Sequence, residues 1–381
     1  MLMQKNKSRR IVTLILLLLL IALCVFIGLY NLTTNETESH RSVQPSNSVL
    51  ERNLTQATTL GGNKLTDSKR NKLLKLNARL SRDGFFGSYI ATKNSDLEFS
   101  AKIGYAHVGT KDIFRLNTAY LIGEYQDAIN SAILLRLVEK NELSLSKSLQ
   151  YYLPGLKSGS EVTVKDLVLG KTNLTINSGW FSQYMQEDKS GIDFGKVKLR
   201  STSAKYVSAN PLITKNLISA VTGESYSSFV TKQLETHFGL SETRVVTDAT
   251  NSQVNDATGY SYYKDRTNKV VQGKAIDVSD LPSDNYYIRM SLVDIAMLTN
   301  KIQTKKAVPS KYTNIYQKAL NNLDGFSKKA SGWQLETAIR GQYLVIRTNA
   351  NNSKMLIVTS NLENKKVNIS KLNTTLYGYI D

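Results

Sequence analysis

The sequence predicts an α/β domain of the α+β type, in which both ends of the folded region contribute strands to one antiparallel sheet. Two observations support this. Segments with strand character occur early, at Phe86–Ala91 and Leu97–Tyr105, and again late, at Tyr343–Arg347 and Met355–Thr359. Helical patterns dominate the stretch between them. We therefore expect helices inserted between the two halves of a sheet, with a helical sub-domain in the middle of the chain.

The N-terminus predicts a membrane anchor. Residues 1–10 contain four basic residues, and residues 11–30 form an uncharged, mostly aliphatic run. Twenty such residues match the hydrocarbon thickness of a bilayer. The basic flank predicts a cytoplasmic N-terminus, a single pass and a domain outside the cell. A cleaved signal peptide is the alternative for this segment.

Two further regions follow the predicted span. Residues 31–67 are polar and lack apolar periodicity, which predicts a flexible stalk. Residues 68–381 are predicted to form the extracellular domain. Its elements begin with a helix at Lys69–Leu80 and two strands that meet at a turn over residues 93–96. The remaining predicted helices, in chain order, are Gly123–Lys140, Pro211–Val221, Tyr226–His237 and Ser291–Lys301.

Composition and charge limit the function. Of 381 residues, 41% are hydrophobic and 21% charged, which excludes wholesale disorder and collagen. The single Cys and the scattered His40, His107 and His237 match no zinc-site spacing, so we expect no metal and no cofactor. The formal net charge of +18 favours anionic partners. Because the domain is expected outside the cell, nucleic acid is not one of them, and anionic lipid or phosphate-rich wall polymers remain.

Several ordered landmarks carry a resemblance to a known family. They are LVEKNELSL at 137–145, YLPG at 152–155, VTVKDL at 162–167, VTGESY at 221–226 and FGLSET at 238–243. In order and spacing they resemble the serine β-lactamase and penicillin-binding-protein-like hydrolases, particularly the class C β-lactamase and D-Ala-D-Ala carboxypeptidase branch. The resemblance spans Phe86 to Asn361. It implies a β-lactamase/transpeptidase-like fold and, in the family, serine acyl transfer.

The catalytic motifs of that family are altered in this chain. The family's nucleophilic Ser should follow Ile122-Gly123, which places Glu124 at the Ser position and Asp127 at the position of the activating Lys. A carboxylate cannot replace a hydroxyl nucleophile in this mechanism. In the family's Tyr-x-Asn motif, Tyr206 matches and Ser208 replaces Asn.

The third motif, a Lys or His followed by Ser or Thr and then Gly, should lie near Leu335-Glu336-Thr337. We expect no suitable residue there. Two literal Ser-x-x-Lys strings occur elsewhere, at 144–147 and 261–264, where the family has a surface turn and where the chain has a polar loop. Patterns with two fixed positions arise by chance, so we interpret Ser144 and Ser261 as decoys.

The pair Glu124 and Asp127 has two interpretations. Carboxylates at a helix start suit the helix macrodipole and capping. Alternatively, the pair forms a new acid/base or cation site in the old cleft.

Three functional hypotheses follow. The first is a catalytically inactive binding or scaffolding module at the bacterial cell envelope, whose partner is peptidoglycan, an anionic wall polymer or a wall enzyme. The alternative is a working serine hydrolase that acts on D-alanyl peptides, D-alanyl esters or β-lactams. The third is a sugar-binding protein that uses a groove of tyrosines, namely Tyr260, Tyr262, Tyr263, Tyr286 and Tyr287.

Overall fold

The structure is a computed structural model, and it describes residues 65–180, 194–199, 205–246, 255–264, 270–275, 288–329, 332–351, 353–362 and 366–380. The predicted cytoplasmic tail, span and nearly all of the predicted stalk lie outside these ranges. Among the residues described, no helix is long and apolar enough to cross a bilayer. The last residues of the predicted stalk belong to the folded domain, because Leu65 is buried and the Thr66 side chain caps the first helix.

Helices and strands are interspersed along the described part of the chain. The helices are α1 (Asp67–Arg82), α2 (Gln126–Glu139), α3 (Leu149–Tyr152), α4 (Val164–Val168), α5 (Asn210–Thr222), α6 (Tyr226–Thr236), α7 (Leu292–Gln303), α8 (Thr313–Leu320) and α9 (Ile369–Tyr377). The strands are β1 (Gly87–Lys93), β2 (Asp96–Ile103), β3 (Tyr105–His107), β4 (Asp112–Ile113), β5 (Ala119–Leu121), β6 (Leu174–Asn177), β7 (Lys198–Leu199), β8 (Tyr206–Ser208), β9 (Thr243–Val245), β10 (Tyr260–Lys264), β11 (Val270–Ala275), β12 (Ile288–Ser291), β13 (Phe326–Lys329), β14 (Gly332–Ile339), β15 (Gln342–Asn349) and β16 (Lys354–Ser360).

The main sheet joins the two ends of the domain, as predicted. Its strand order is β13-β14-β15-β16-β1-β2, and every neighbouring pair is antiparallel. The early and late strands meet where β1 pairs with β16, with Tyr89 opposite Val358. The β1–β2 hairpin closes through Asn94 and Ser95, both with positive φ, the twist that two-residue hairpin loops require. All four predicted strands therefore lie in one sheet.

Both faces of the sheet centre are covered by helices. Tyr89 and Leu356 face a layer formed by α1 and α9, in which Leu73 and Leu76 of α1 are buried. Ile90 belongs to the larger core on the opposite face, together with residues of α2, α7 and α8. Successive residues along a strand point to opposite faces of the sheet, and six successive residues of β1, Gly87–Thr92, are buried, so both faces of this strand are covered.

The structure adds strands that the sequence analysis did not predict. β13 and β14 extend the main sheet beyond the predicted four strands. The middle of the chain contains short sheets, including β5-β12-β9 and β7-β6-β8, and is therefore less purely helical than expected. The strands of these two named sheets are two to four residues long, too short to produce a period-2 pattern. The predicted strand Leu97–Tyr105 also divides at Gly104, which has positive φ.

Candidate functional site

The site begins where β5 turns into α2. A side chain of the main sheet fixes the end of β5, because the Leu121 amide donates to Gln342 Oε1 at 2.9 Å. Gly123 follows with a φ of +51°, in the left-handed region that favours glycine. A Cβ on Gly123 would overlap Oγ1 of Thr337 in β14. Glycine at this point thus lets the start of α2 approach β14 closely.

Glu124 lies against β14 through a reciprocal contact with Thr337. The Thr337 hydroxyl donates to the Glu124 carboxylate, and the Glu124 backbone amide donates to Thr337 Oγ1 at 3.3 Å. The prediction that no suitable third motif lies near residues 335–337 stays a prediction. The stretch Glu336-Thr337-Ala338 has a hydroxyl at its centre, but no Lys or His precedes it and no Gly follows it. The hydroxyl is therefore engaged with the residue at the nucleophile position.

Asp127 lies in the first turn of α2, three residues beyond Glu124, which is in the short 3-10 turn Gly123–Tyr125 that leads into this helix. Its Oδ1 accepts a 3.4 Å hydrogen bond from Asn130 Nδ2, and Asn130 Oδ1 accepts one of 2.7 Å from the Tyr226 hydroxyl. The pKa of the Asp127 carboxyl is raised to about 6, chiefly by burial; the hydrogen bond from Asn130 lowers it, and the nearby charges of Glu124 and Asp324 add smaller upward contributions. Asp127 thus keeps its proton up to a pH of about 6, well above the range of an ordinary Asp.

The opposite wall contains the second motif. Tyr206 and Ser208 are the ends of β8, and Ser208 is opposite Thr175 of β6. Ser208 Oγ accepts a 3.2 Å hydrogen bond from the Asn210 amide at the start of α5. The hydroxyl at the family's Asn position therefore supports the local turn into a helix.

The four motif positions of the sequence analysis line one cleft of about 510 Å³; they are Glu124, Asp127, Tyr206 and Ser208. The fold therefore brings these predicted positions together. Gln126 and Asp324 are among the lining residues that sequence reasoning missed. Gln126 is adjacent to the pair that the family comparison aligned, yet the motif assigns it no role. Asp324 comes from the turn after α8, distant in sequence, and no motif marks it.

The charge of the cleft is uniform. Its lining among the residues described contains three carboxylates, those of Glu124, Asp127 and Asp324, and no Lys, Arg or His. Glu124 and Asp127 are partly buried, whereas Asp324 is exposed at the mouth. Within the described part of the chain, no group of three His, Cys, Asp or Glu is arranged to hold a metal ion.

The remaining sequence candidates lie elsewhere. Neither Ser144 nor Ser261 lines the cleft. The prediction that Tyr260 lines a sugar-binding groove is wrong, because this side chain is buried and its hydroxyl accepts a 2.8 Å hydrogen bond from the Val108 amide. Tyr286 and Tyr287 lie outside the described residues.

The arrangement determines which chemistry the cleft can perform. Serine acyl transfer needs a nucleophile, a base that activates it and donors for the developing oxyanion. At the positions that the sequence analysis aligned with the nucleophile and the base, this chain has the carboxylic acids Glu124 and Asp127. What remains is a pair of acids one turn apart, of which Asp127 has a pKa of about 6. Such a pair can bind a cation or exchange protons with water.

Comparisons with known proteins agree with the fold. No family model matches the chain. The teichoic acid D-alanine hydrolase of Staphylococcus aureus strain MRSA252 is 24% identical over 331 residues, which is 82% of this chain and 79% of that protein.

Solved structures with similar folds also match this chain. The crystal structure of FmtA from Staphylococcus aureus matches with a TM-score of 0.62 and 22% identity, over 84% of this chain and 91% of that one. A penicillin-binding protein from Bacillus halodurans matches with a TM-score of 0.60 and 14% identity, over 79% and 98%. A class C β-lactamase from Rhodobacter sphaeroides matches with a TM-score of 0.55 and 14% identity, over 82% and 98%. The chain therefore has the fold of the penicillin-binding-protein-like and class C β-lactamase proteins, the group that its sequence landmarks resemble.

Proposed function

We propose that this protein is a non-acylating member of its fold group that binds a component of the bacterial cell envelope through the acidic cleft. The observation that carries the proposal is the residue at the nucleophile position. Glu124 has no hydroxyl to acylate, and its carboxylate is engaged by Thr337. Asp127 is an acid at the position of the activating Lys, so no amine is present there to act as the base.

Envelope location is supported by three features. The predicted span at 11–30 and its basic flank favour a domain outside the cell. The relatives are named teichoic acid D-alanine hydrolases, a name that refers to a polymer of the cell envelope. The net charge of +18 also favours anionic wall polymers as surroundings.

A second candidate function is supported by the raised pKa of Asp127. Two acids with different protonation states can hydrolyse an ester without an acyl-enzyme. Glu124 would accept a proton from a water molecule while the oxygen of that water attacks the carbonyl carbon of a D-alanyl ester. Protonated Asp127 would give its proton to the leaving alkoxide oxygen, so that D-alanine and the free alcohol form. The reaction requires the protonated form of Asp127 and would weaken above a pH of about 6.

One pair of measurements separates these functions. The full-length protein is incubated with a fluorescent penicillin and, separately, with a D-alanylated polymer, and covalent labelling and released D-alanine are recorded. The proposal predicts neither labelling nor release. Release without labelling, lost in Glu124→Gln, would support the two-acid hydrolase. Covalent labelling would contradict both and support a serine hydrolase.

A further inference from the structure

Two arginines meet one carboxylate beside β5, the strand that leads into the cleft. Arg289 of β12 lies opposite Leu121 of β5 on one side and opposite Arg244 of β9 on the other. Like charges at opposing positions of neighbouring strands destabilise a sheet. Here Arg244 Nη2 and, at 3.4 Å, Arg289 Nε both contact Asp256 Oδ2. The side chains of Arg289 and Asp256 are only 3% and 1% exposed, so this ion cluster is buried.

Asp256 belongs to a segment that pairs with β5. The Ala119 amide donates to Asn255 O, and the Ala257 amide donates to Ala119 O, both at 2.9 Å. β5 therefore lies between β12 and residues 255–257. The ion cluster joins these two neighbours of β5, because Arg289 belongs to one of them and Asp256 to the other.

Hydrogen bonds continue from the ion cluster to the end of β5. Arg289 Nη1 donates to Ala257 O at 3.1 Å, and Gln342 Nε2 donates to the same oxygen at 3.2 Å. The opposite end of the Gln342 amide, Oε1, accepts a 2.9 Å hydrogen bond from the Leu121 amide. Leu121 is three residues before Glu124. The backbone that carries Glu124 is thus connected to the buried charges through one side chain of the main sheet.

Stability alone does not account for ionic groups at this place. Buried ion pairs are often no more stabilising than apolar side chains of similar volume. A guanidinium differs from an apolar side chain because its donors lie in a rigid plane, which fixes the direction of each partner. Such groups are useful where a backbone must be held in one position. Leu121 is such a point, since the 3-10 turn Gly123–Tyr125 follows it and Glu124 then contacts Thr337.

We propose that Arg289, Asp256 and Gln342 are positioning residues of the cleft, which together hold the end of β5 so that Glu124 meets Thr337 and lines the cleft. None of the three belongs to the cleft lining in the described part of the chain, so they act through Leu121 and not on a ligand. The inference goes beyond the proposed function, because it applies equally to a cleft that binds and to one that hydrolyses.

Carboxyl footprinting of the full-length protein tests the position of Glu124. A carbodiimide with glycine ethyl ester converts accessible carboxylates into amides, and mass spectrometry measures the rate at each residue. Gln342→Met keeps the length of the side chain and removes its donor and acceptor. We expect modification of Glu124 to accelerate at least about fivefold, because the hydrogen bond to Leu121 is lost, while modification of the exposed Glu161 stays unchanged. Equal rates at Glu124 in Gln342→Met and the wild type would overturn the proposal.

Gln334→Met is the matched control. It makes the same substitution in β14, at a partly exposed residue whose side chain donates to Glu336 and not to the segment around β5. We expect it to leave the rate at Glu124 unchanged. Equal acceleration in Gln334→Met and Gln342→Met would show a general loosening of the main sheet and would contradict the positioning role.

A triple apolar variant separates positioning from stability. Arg244→Met, Asp256→Leu and Arg289→Met together remove the ion cluster without leaving an unpaired charge, so the free energy of unfolding should stay close to that of the wild type. We expect Glu124 to be modified at least about fivefold faster all the same. A folded triple variant with the wild-type rate would overturn the role of Arg289 and Asp256. If this variant does not fold, Gln342→Met decides the question. Footprinting measures no acylation, so a negative result here differs from the penicillin adduct that would contradict the proposed function.

Discussion

Under the proposed function, Glu124 determines what the cleft can do, because it places a carboxylate at the position that the sequence analysis aligned with the nucleophilic Ser. A Ser there would present a neutral hydroxyl to a neighbouring base. The carboxylate instead accepts a hydrogen bond from Thr337 and lies one helical turn from Asp127. The pKa of the Asp127 carboxyl is about 6. The interpretation of the pair as helix-start electrostatics is compatible with this geometry, since both acids lie in the first turns of the helical segment. Their convergence with Asp324 in one cleft favours a binding role as well.

Asp127 makes stability depend on pH in a defined direction. Its pKa rises from the ordinary value of 3.8 to about 6 in the folded protein, so the folded state binds the proton more tightly. The free energy of unfolding should therefore fall as pH rises from about 4 through 6, by roughly 1–3 kcal/mol from this group. Asp127→Asn should remove this part of the pH dependence. Denaturant unfolding of both proteins across this pH range measures the effect, and parallel pH profiles would contradict it.

Gly123 is expected to tolerate substitution poorly for two separable reasons. An Ala at this position would adopt an unfavourable positive φ, and its Cβ would overlap Thr337 Oγ1. We expect Gly123→Ala to lower the free energy of unfolding by about 2 kcal/mol or more. Gly223→Ala is the control for φ alone, since Gly223 has φ +71° and an added Cβ would meet nothing within 4 Å. Equal destabilisation of the two variants would show that the contact with Thr337 has no energetic weight.

At the scale of elements, the main sheet and long helices were predictable and the short strands were not. The core strands β1 and β16 are almost entirely buried along their length, and α2 carries a continuous apolar face, so their local patterns agree with their tertiary setting. β14 alternates in burial around Leu335 and Thr337, but a Thr at a buried position hides the alternation in the sequence. Thr337 was missed for the same reason that β14 was. Asp324 was missed because only tertiary structure brings the turn after α8 to the cleft.

Helix α1 presents a stripe of four cations, which we call the basic stripe: Lys72, Lys75, Arg79 and Arg82. All four are exposed, and none forms an ion pair with a described residue. Their spacing places them on one side of the helix over about 15 Å. A row of exposed cations is suited to a polyanion with regularly spaced phosphates.

Neutralising the basic stripe should weaken binding to an anionic wall polymer. We expect the fourfold Gln variant of these residues to bind poly(glycerol phosphate) at least about tenfold more weakly than the wild type at low salt. The control is a fourfold Gln variant with the same charge change at other exposed lysines, namely Lys305, Lys306, Lys318 and Lys328. Equal losses in both variants would indicate a response to net charge alone and would contradict a specific stripe.

For the whole molecule, the charge of the N-terminus predicts the orientation in the membrane. Four basic residues precede the uncharged run at 11–30, so we expect the domain on the outer side. Protease added to intact cells after removal of the wall should degrade it, with a cytoplasmic protein as the control for lysis. Complete protection of the domain would contradict this topology. Release of a shortened soluble form into the medium would instead support cleavage after the apolar run.

Intact-mass spectrometry tests most directly whether this fold operates here without serine acyl transfer. The full-length protein is incubated with a penicillin or a serine-directed phosphonate, alongside a penicillin-binding protein that acylates. We predict an unchanged mass for the wild type. The double variant Glu124→Ser with Asp127→Lys should also remain unmodified, because Ser208 and the Leu335–Thr337 stretch still depart from the family motifs. A stoichiometric adduct on the wild type, mapped to Ser144, Ser261 or any other serine, would contradict the non-acylating function.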